Sequence, residues 1–177
     1  MARSDLSKIK ILSKYIYNTK GLKIGLMGGS FNPPHNGHLK IAKLALKNLN
    51  LDEVWWLVST KNPLKTSKGL MPLSKRVELT KKIANHPKFK VLNIENNLKT
   101  KNSYDLLKKI SNLIPVAVFN RRGTPLRSIN SKGAYVLGKR INSSRLKFLS
   151  ISEPPIWGYF HNVNINISST IIRGSKE

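Results

Sequence analysis

The sequence holds no cysteine, so neither a disulfide nor a thiolate metal ligand can be part of it. Acidic residues are scarce: eight Asp and Glu stand against 32 Lys and Arg, a formal charge of +24. Histidines number only four, and no carboxylates cluster beside them. A metal centre would therefore lack ligands. Nowhere is there a run of about 18 apolar residues, so no membrane-spanning helix is expected. The first twenty residues are basic but lack the apolar stretch of a signal peptide. A cytoplasmic protein with no membrane partner is the expectation. Internal repeats and low-complexity linkers are missing too.

What is present begins with the charge. It suits a partner that carries phosphates. The lysines, however, are spread along the whole chain, and exposed aromatics in the pattern of an RNA-binding module are lacking. General compositional bias explains most of the charge, with weak nucleic-acid affinity as a side effect. The 177 residues suggest one domain over 22–177, preceded by a basic N-terminal extension, 1–21.

Short apolar runs alternate with helical patterns. Lys23 to Met27, Val54 to Ser59, Phe89 to Ile94, Val116 to Asn120 and "IWGYF" read as strands. Leu39, Ala42, Leu46 and Leu49 mark one face of a helix that begins near Asn36 or Gly37. Pro72 opens another, with Val77, Thr80, Ile83 and Ala84 at helical spacing, and His86-Pro87 stops it. Ser103 suits the cap of a third helix, through Ile110, and Ser168 the cap of a short last one. Residues 121–145 are weakly patterned. The alternation implies an α/β fold with an open parallel sheet. Trp55 and Trp56 are expected in the core, and His86 and His161 receive no role.

In such sheets ligands sit at the carboxyl ends of strands. Gly28 and Gly29 lie at such an end, where missing Cβ atoms allow close approach to the backbone. Pro33 and Pro34 stiffen the loop that follows, and the helix start favours an anion. His35 and His38 flank that start. A metal shared by the pair and a purely structural pair both compete, but the Gly-Gly turn favours phosphate.

Two stretches carry a family resemblance. "GGSFNPPHNGH", Gly28 to His38, resembles the signature of the HxGH nucleotidylyltransferases, with His35, Gly37 and His38 at the motif positions. "ISSTIIR", Ile167 to Arg173, resembles that superfamily's ISSTxIR element. "WWLVSTKNPLK", "MPLSKRVELTKKI" and "VAVFNR" are most similar to bacterial nicotinate-nucleotide adenylyltransferases. The resemblance implies a Rossmann-like open parallel sheet. It implies transfer of the adenylyl group of ATP to nicotinate mononucleotide, giving deamido-NAD and pyrophosphate in NAD biosynthesis, with Mg²⁺ accompanying ATP. His35 and His38 would be catalytic, holding α- and β-phosphate oxygens. Gly28, Gly29, Ser30, Phe31 and Gly37 would cradle nucleotide. Ser168, Ser169, Thr170 and Arg173 would bind the outer phosphates, although the three hydroxyls also suit a plain helix cap. Lys65, Arg76 and Arg121 are candidate phosphate or ribose contacts. No metal-ligating residue is expected.

The chain departs from the family inside. Relatives follow the helix near Ser103 with a strand ending Gly-Ala-Asp and a tryptophan-containing segment. Here "NSYDLLKKISNLIPVAVFN" runs almost directly to the later strand. Leu106 stands where the family has threonine. The expected consequences are a sheet lacking one central strand, weaker ribose and nicotinate recognition, and impaired activity. Two other readings stand beside the first. One is another HxGH transferase, such as a phosphopantetheine adenylyltransferase. The other is a non-catalytic basic nucleotide- or RNA-binding remnant.

Overall fold

The computed structural model describes residues 21–59, 69–94, 103–120, 129–161 and 169–174. Strand β1 (Ile24–Gly29) leads into α1 (Asn36–Asn48), β2 (Glu53–Ser59) into α2 (Leu73–Ile83), and β3 (Phe89–Ile94) into α3 (Ser103–Ser111). There follow β4 (Val116–Phe119), α4 (Lys132–Val136), a short β5 (Lys139–Arg140), a 3₁₀ segment (Ser143–Ile151), β6 (Ile156–Phe160) and α5 (Ser169–Gly174). Every strand pair is parallel, as the alternation implied. Parallel neighbours need a crossover, and α1 and α2 supply it for the first three strands.

β2 shows why these residues make a strand. Val54, Trp56 and Val58 alternate onto one face and are fully buried, each stabilising the fold by roughly 1.5–3 kcal/mol. Trp55, on the other face, is buried as well, and its indole Nε1 donates to Glu53 Oε2 at 2.7 Å. A strand buried on both faces reads as a continuous apolar run, which is what "VWWLV" is. The two tryptophans are core residues, as expected.

One core cluster joins Ala42 of α1, Val54, Trp56 and Val58 of β2, Phe89 of β3, Leu149 of the 3₁₀ segment and Phe160 of β6. A smaller one gathers Ala134, Leu137, Trp157 and Tyr159. Ser150 Oγ donates to the Leu49 carbonyl at 2.8 Å, a polar tie between the first and last thirds of the chain.

The strands form two sheets, ordered β1-β2-β3 and β4-β6-β5. Among the described residues no strand lies between β1 and β4, and β1 pairs only with β2. Leu26, at the middle of β1, is 48% exposed. That is a high value for a strand expected at the centre of a sheet with both faces covered.

The bounds of β1 and the content of the weakly patterned stretch differ from the sequence reading, and the start of the first helix agrees with it. β1 runs to Gly29 because both glycines stay in the ladder, Gly28 opposite Leu57 and Gly29 opposite Val58. α1 starts at Asn36, with His35 as its cap. The weakly patterned stretch holds α4, capped by Ser131 Oγ, and β5; both are too short to print a periodicity on the sequence. No helix among the described residues is long and apolar enough to cross a membrane. The extension 1–21 lies outside the described residues except for Gly21, which sits in a turn.

Candidate active site

The carboxyl end of β1 and the start of α1 bring the predicted residues together. His35 is the N-cap of α1 in an extended conformation, and its Nδ1 accepts from Gly37 N at 3.1 Å. His38 sits in the first turn, and its Nδ1 accepts from His35 N at 3.2 Å. The pair forms a reciprocal capping box in which two imidazoles replace the usual Ser and Glu. The rings face each other at 3.8 Å between centroids, inclined by 34°.

This bonding fixes the protons. A ring nitrogen that accepts from a backbone N–H carries no hydrogen, so each neutral ring bears its hydrogen on Nε2. In each ring the Nε2–H lies across from the capping nitrogen, on the side away from the ring's own backbone. The α1 N-terminus adds its partial positive charge, with no acidic residue in the first turn to offset it. Among the described residues no group of three His, Cys, Asp or Glu could hold a metal ion.

Behind the histidines lies an aromatic support. Phe31 is 3% exposed and meets His38 edge-on, with centroids 5.0 Å apart. Trp56 lies 5.4 Å from Phe31 and 6.4 Å from His38. Phe31 has φ of +45°, a conformation that costs a bulky residue of order 1–3 kcal/mol and persists only where packing enforces it. Trp56 Nε1 is buried without a hydrogen-bond partner, at a cost of about 1–3 kcal/mol. A Cβ on Gly29 would meet the Phe31 ring at 3.2 Å, whereas a Cβ on Gly28 would meet nothing within 4 Å. One glycine admits the aromatic support; the other leaves open space at the strand end.

α5 closes the site from the far end of the chain. Ser169 Oγ donates to the Pro33 carbonyl at 2.8 Å. Arg173 donates through Nη1 to the Asn32 carbonyl, and through Nη2 to Thr170 Oγ1 at 3.4 Å. Ser169 and Arg173, expected as phosphate ligands, thus also fasten α5 to the histidine loop. Ser168, Lys65 and Arg121 lie outside the described residues.

The structure corrects the expectation for Arg76. It was a candidate substrate contact, but it is 1% exposed and its guanidinium faces the protein's own backbone. Nε donates to the Met71 carbonyl at 2.9 Å, and Nη1 to the carbonyls of Ser30 and Ser59 at 2.7 Å each. Burial lowers its pKa from the usual arginine value. The sequence did carry a signal: Arg76, Thr80 and Ile83 recur at helical spacing, and Thr80 is fully buried on the same face.

Asn32 was missed outright. Its Nδ2 donates to the Gly69 carbonyl at 2.9 Å and its Oδ1 accepts from Met71 N at 3.0 Å. It pins the histidine loop to the lead-in of α2. Both partners are more than thirty residues away, so no local pattern announces them.

Comparison with known proteins gives a consistent picture. Residues 26–175 match the family described as Cytidylyltransferase-like. A probable nicotinate-nucleotide adenylyltransferase of Rhizobium johnstonii is 31% identical, over 90% of this chain and 96% of that protein. One from Brucella abortus is 31% identical, over 86% and 94%. Among solved structures, Plasmodium falciparum nicotinic acid mononucleotide adenylyltransferase complexed with NaAD is similar, with a TM-score of 0.52 and 20% identity. That match covers 85% of this chain and 82% of the other and bears on the fold.

Proposed function

The chain belongs to the Cytidylyltransferase-like family and, within it, to the nicotinate-nucleotide adenylyltransferases, and from that premise we propose that it transfers the adenylyl group of ATP to nicotinate mononucleotide. A phosphate oxygen of the mononucleotide attacks the α-phosphorus of ATP. The bond from that phosphorus to the bridging oxygen breaks, pyrophosphate leaves, and deamido-NAD forms. No protein nucleophile takes part, so catalysis rests on positioning and on donors aimed at developing charge.

One observation carries the reading. His35 Nδ1 accepts from Gly37 N and His38 Nδ1 accepts from His35 N, so both neutral rings carry their hydrogen on Nε2 beside one helix start. Neutral donors fit charge that builds on phosphate oxygens and leaves with pyrophosphate. ATP enters as its magnesium complex. The described residues offer no cluster of three ligands, so the ion would be carried by phosphate oxygens and water. A cytoplasmic location goes with ATP as substrate, and residues 22–177 act as one domain.

The reading includes impaired turnover, because the acceptor-binding stretch is short. The test is pyrophosphate release from Mg²⁺-ATP with nicotinate mononucleotide, nicotinamide mononucleotide or phosphopantetheine. Nicotinate mononucleotide is expected to support it, at a rate below the ordinary range of about 1–1,000 s⁻¹. A rate inside that range refutes the impairment alone. His38→Ala should cost about 10²-fold or more; equal rates in mutant and wild type refute the phosphate role of His38. Release only with phosphopantetheine, or salt-dependent RNA binding with no release, favours the other two readings.

A further inference from the structure

Beneath the loop that carries Ser30 lies a positive charge that the transfer chemistry does not call on. Arg76 sits in the first turn of α2, yet its side chain is buried. Its three hydrogen-bonded carbonyls come from three separate segments. Ser30 belongs to the loop after β1, Ser59 to the end of β2, and Met71 to the lead-in of α2. The same segments are joined by other ties, Asn32 to Gly69 and Met71, and Ser59 Oγ to the Gly29 carbonyl at 3.3 Å.

We infer that Arg76 is a positioning residue for triphosphate binding, acting through the Ser30–Phe31 peptide. The inference rests on the reading that this loop takes ATP. The argument begins with the planarity of the peptide unit. A trans peptide points its C=O and the next N–H in opposite directions. Arg76 Nη1 holds the Ser30 carbonyl inward at 2.7 Å. The Phe31 N–H is thereby turned away from the guanidinium. Phe31 could not rotate its peptide freely in any case, since its side chain is held under His38. Arg76 and Phe31 together lock one backbone donor at the mouth of the site.

Charge adds to orientation. A guanidinium buried in a medium of low dielectric acts on nearby anions more strongly than an exposed lysine, and salt screens it less. The chain has 32 Lys and Arg in all, but exposed cations attract any polyanion. Arg76 differs in being fixed behind one loop. Lysine could keep the charge in Arg76→Lys, but a single ammonium lacks the planar fork that reaches carbonyls on both sides.

The experiment compares wild type with Arg76→Lys, reading KM for ATP, KM for nicotinate mononucleotide, kcat, and the affinity for Mg²⁺-tripolyphosphate by calorimetry. Expected is a rise of about ten-fold or more in KM for ATP and in the tripolyphosphate Kd, the loss of one charged hydrogen bond. KM for the mononucleotide should stay within a factor of about two, since the inference assigns this peptide to the triphosphate alone. A merely structural role lowers the active fraction and leaves both KM values unchanged, and that result overturns the inference. Where Arg76→Lys does not fold, the wild type decides. The Nε–H resonance of Arg76, identified by its contact with Met71, should shift as tripolyphosphate binds. A resonance that stays still while other amides move overturns the inference. Failure of nicotinate mononucleotide to react counts against the proposed function alone, because the tripolyphosphate measurement does not use it. Failure of the wild type to bind tripolyphosphate overturns both.

Discussion

His35 is asked to do two things, and one pair of substitutions separates them. As N-cap of α1 its Nδ1 accepts from Gly37 N, and as a site residue its Nε2 donates outward. His35→Ala removes both. Loss of an N-cap costs about 1 kcal/mol, within a range of roughly 0.5–2. For a domain of this size that lowers Tm by about 2–4 °C. His35→Asn restores the cap, because Asn is among the strongest N-cap residues and its Oδ1 accepts from the same N–H groups. It does not restore the donor, which in His lies across the ring from the capping nitrogen and reaches farther from the backbone. His35→Asn should therefore recover Tm to within about 0.5 °C while kcat stays about 10²–10³ below wild type, like His35→Ala. Differential scanning calorimetry and pyrophosphate release read the two quantities on the same samples. If His35→Asn recovers kcat along with Tm, His35 is a helix cap and nothing more.

The two glycines at the end of β1 should respond oppositely to alanine. Gly29→Ala drives a methyl into the Phe31 ring at 3.2 Å, so it should destabilise by about 1–3 kcal/mol in urea unfolding and disturb His38 through that ring. Gly28→Ala meets no atom, so stability should hold or rise by about 0.4–1 kcal/mol while KM for ATP rises; an unchanged KM refutes the place given to Gly28. Glu53 gives a pH test. Burial pushes its carboxyl up, but hydrogen bonds from Lys90 and Trp55 and the Lys90 charge outweigh it and hold the pKa below the ordinary value. A depressed native pKa contributes stability above the unfolded carboxylate range near about 4.3, and the contribution disappears as pH falls through the native value. The difference in urea midpoint between wild type and Glu53→Gln should be larger at neutral pH than at about pH 3; a constant difference refutes the linkage.

Much of this fold was legible because its signals are local. The run "VWWLV" and the spacing of Leu39, Ala42 and Leu46 each report their own burial: Val54, Trp56, Val58 and Ala42 lie in the core, and Leu39 and Leu46 pack against it. The histidine pair was legible as a pair, since helical spacing brings residues three apart together. Its proton arrangement was not, because that depends on which backbone N–H each Nδ1 meets. Arg76 was misread for a related reason. Arginine on a basic chain reads as solvent or ligand; its helical spacing with Thr80 points to a buried face, and the carbonyls that converge on it show what it bonds. Asn32 was invisible, since its partners come from the lead-in to α2.

The division into two sheets bears on how the histidine cluster is assembled. The alignment with the Rhizobium protein runs over 191 positions, more than the 177 residues of this chain, so it opens gaps against this chain. The histidine cluster is built almost wholly from β1, α1, β2 and the start of α2, all within the first sheet and its helices. Its one outside part is α5, which reaches the loop through Ser169 and Arg173. α5 follows β6, and β6 is held against the first sheet by Phe160 and Leu149, which share a core with Trp56 and Val58. The second sheet therefore meets the first through side-chain packing, with no ladder between β1 and β4 among the described residues. Leu149 and Phe160 hold β6 against the first sheet, Ser169 and Arg173 tie α5 to the histidine loop, and Leu26 on β1 stays exposed.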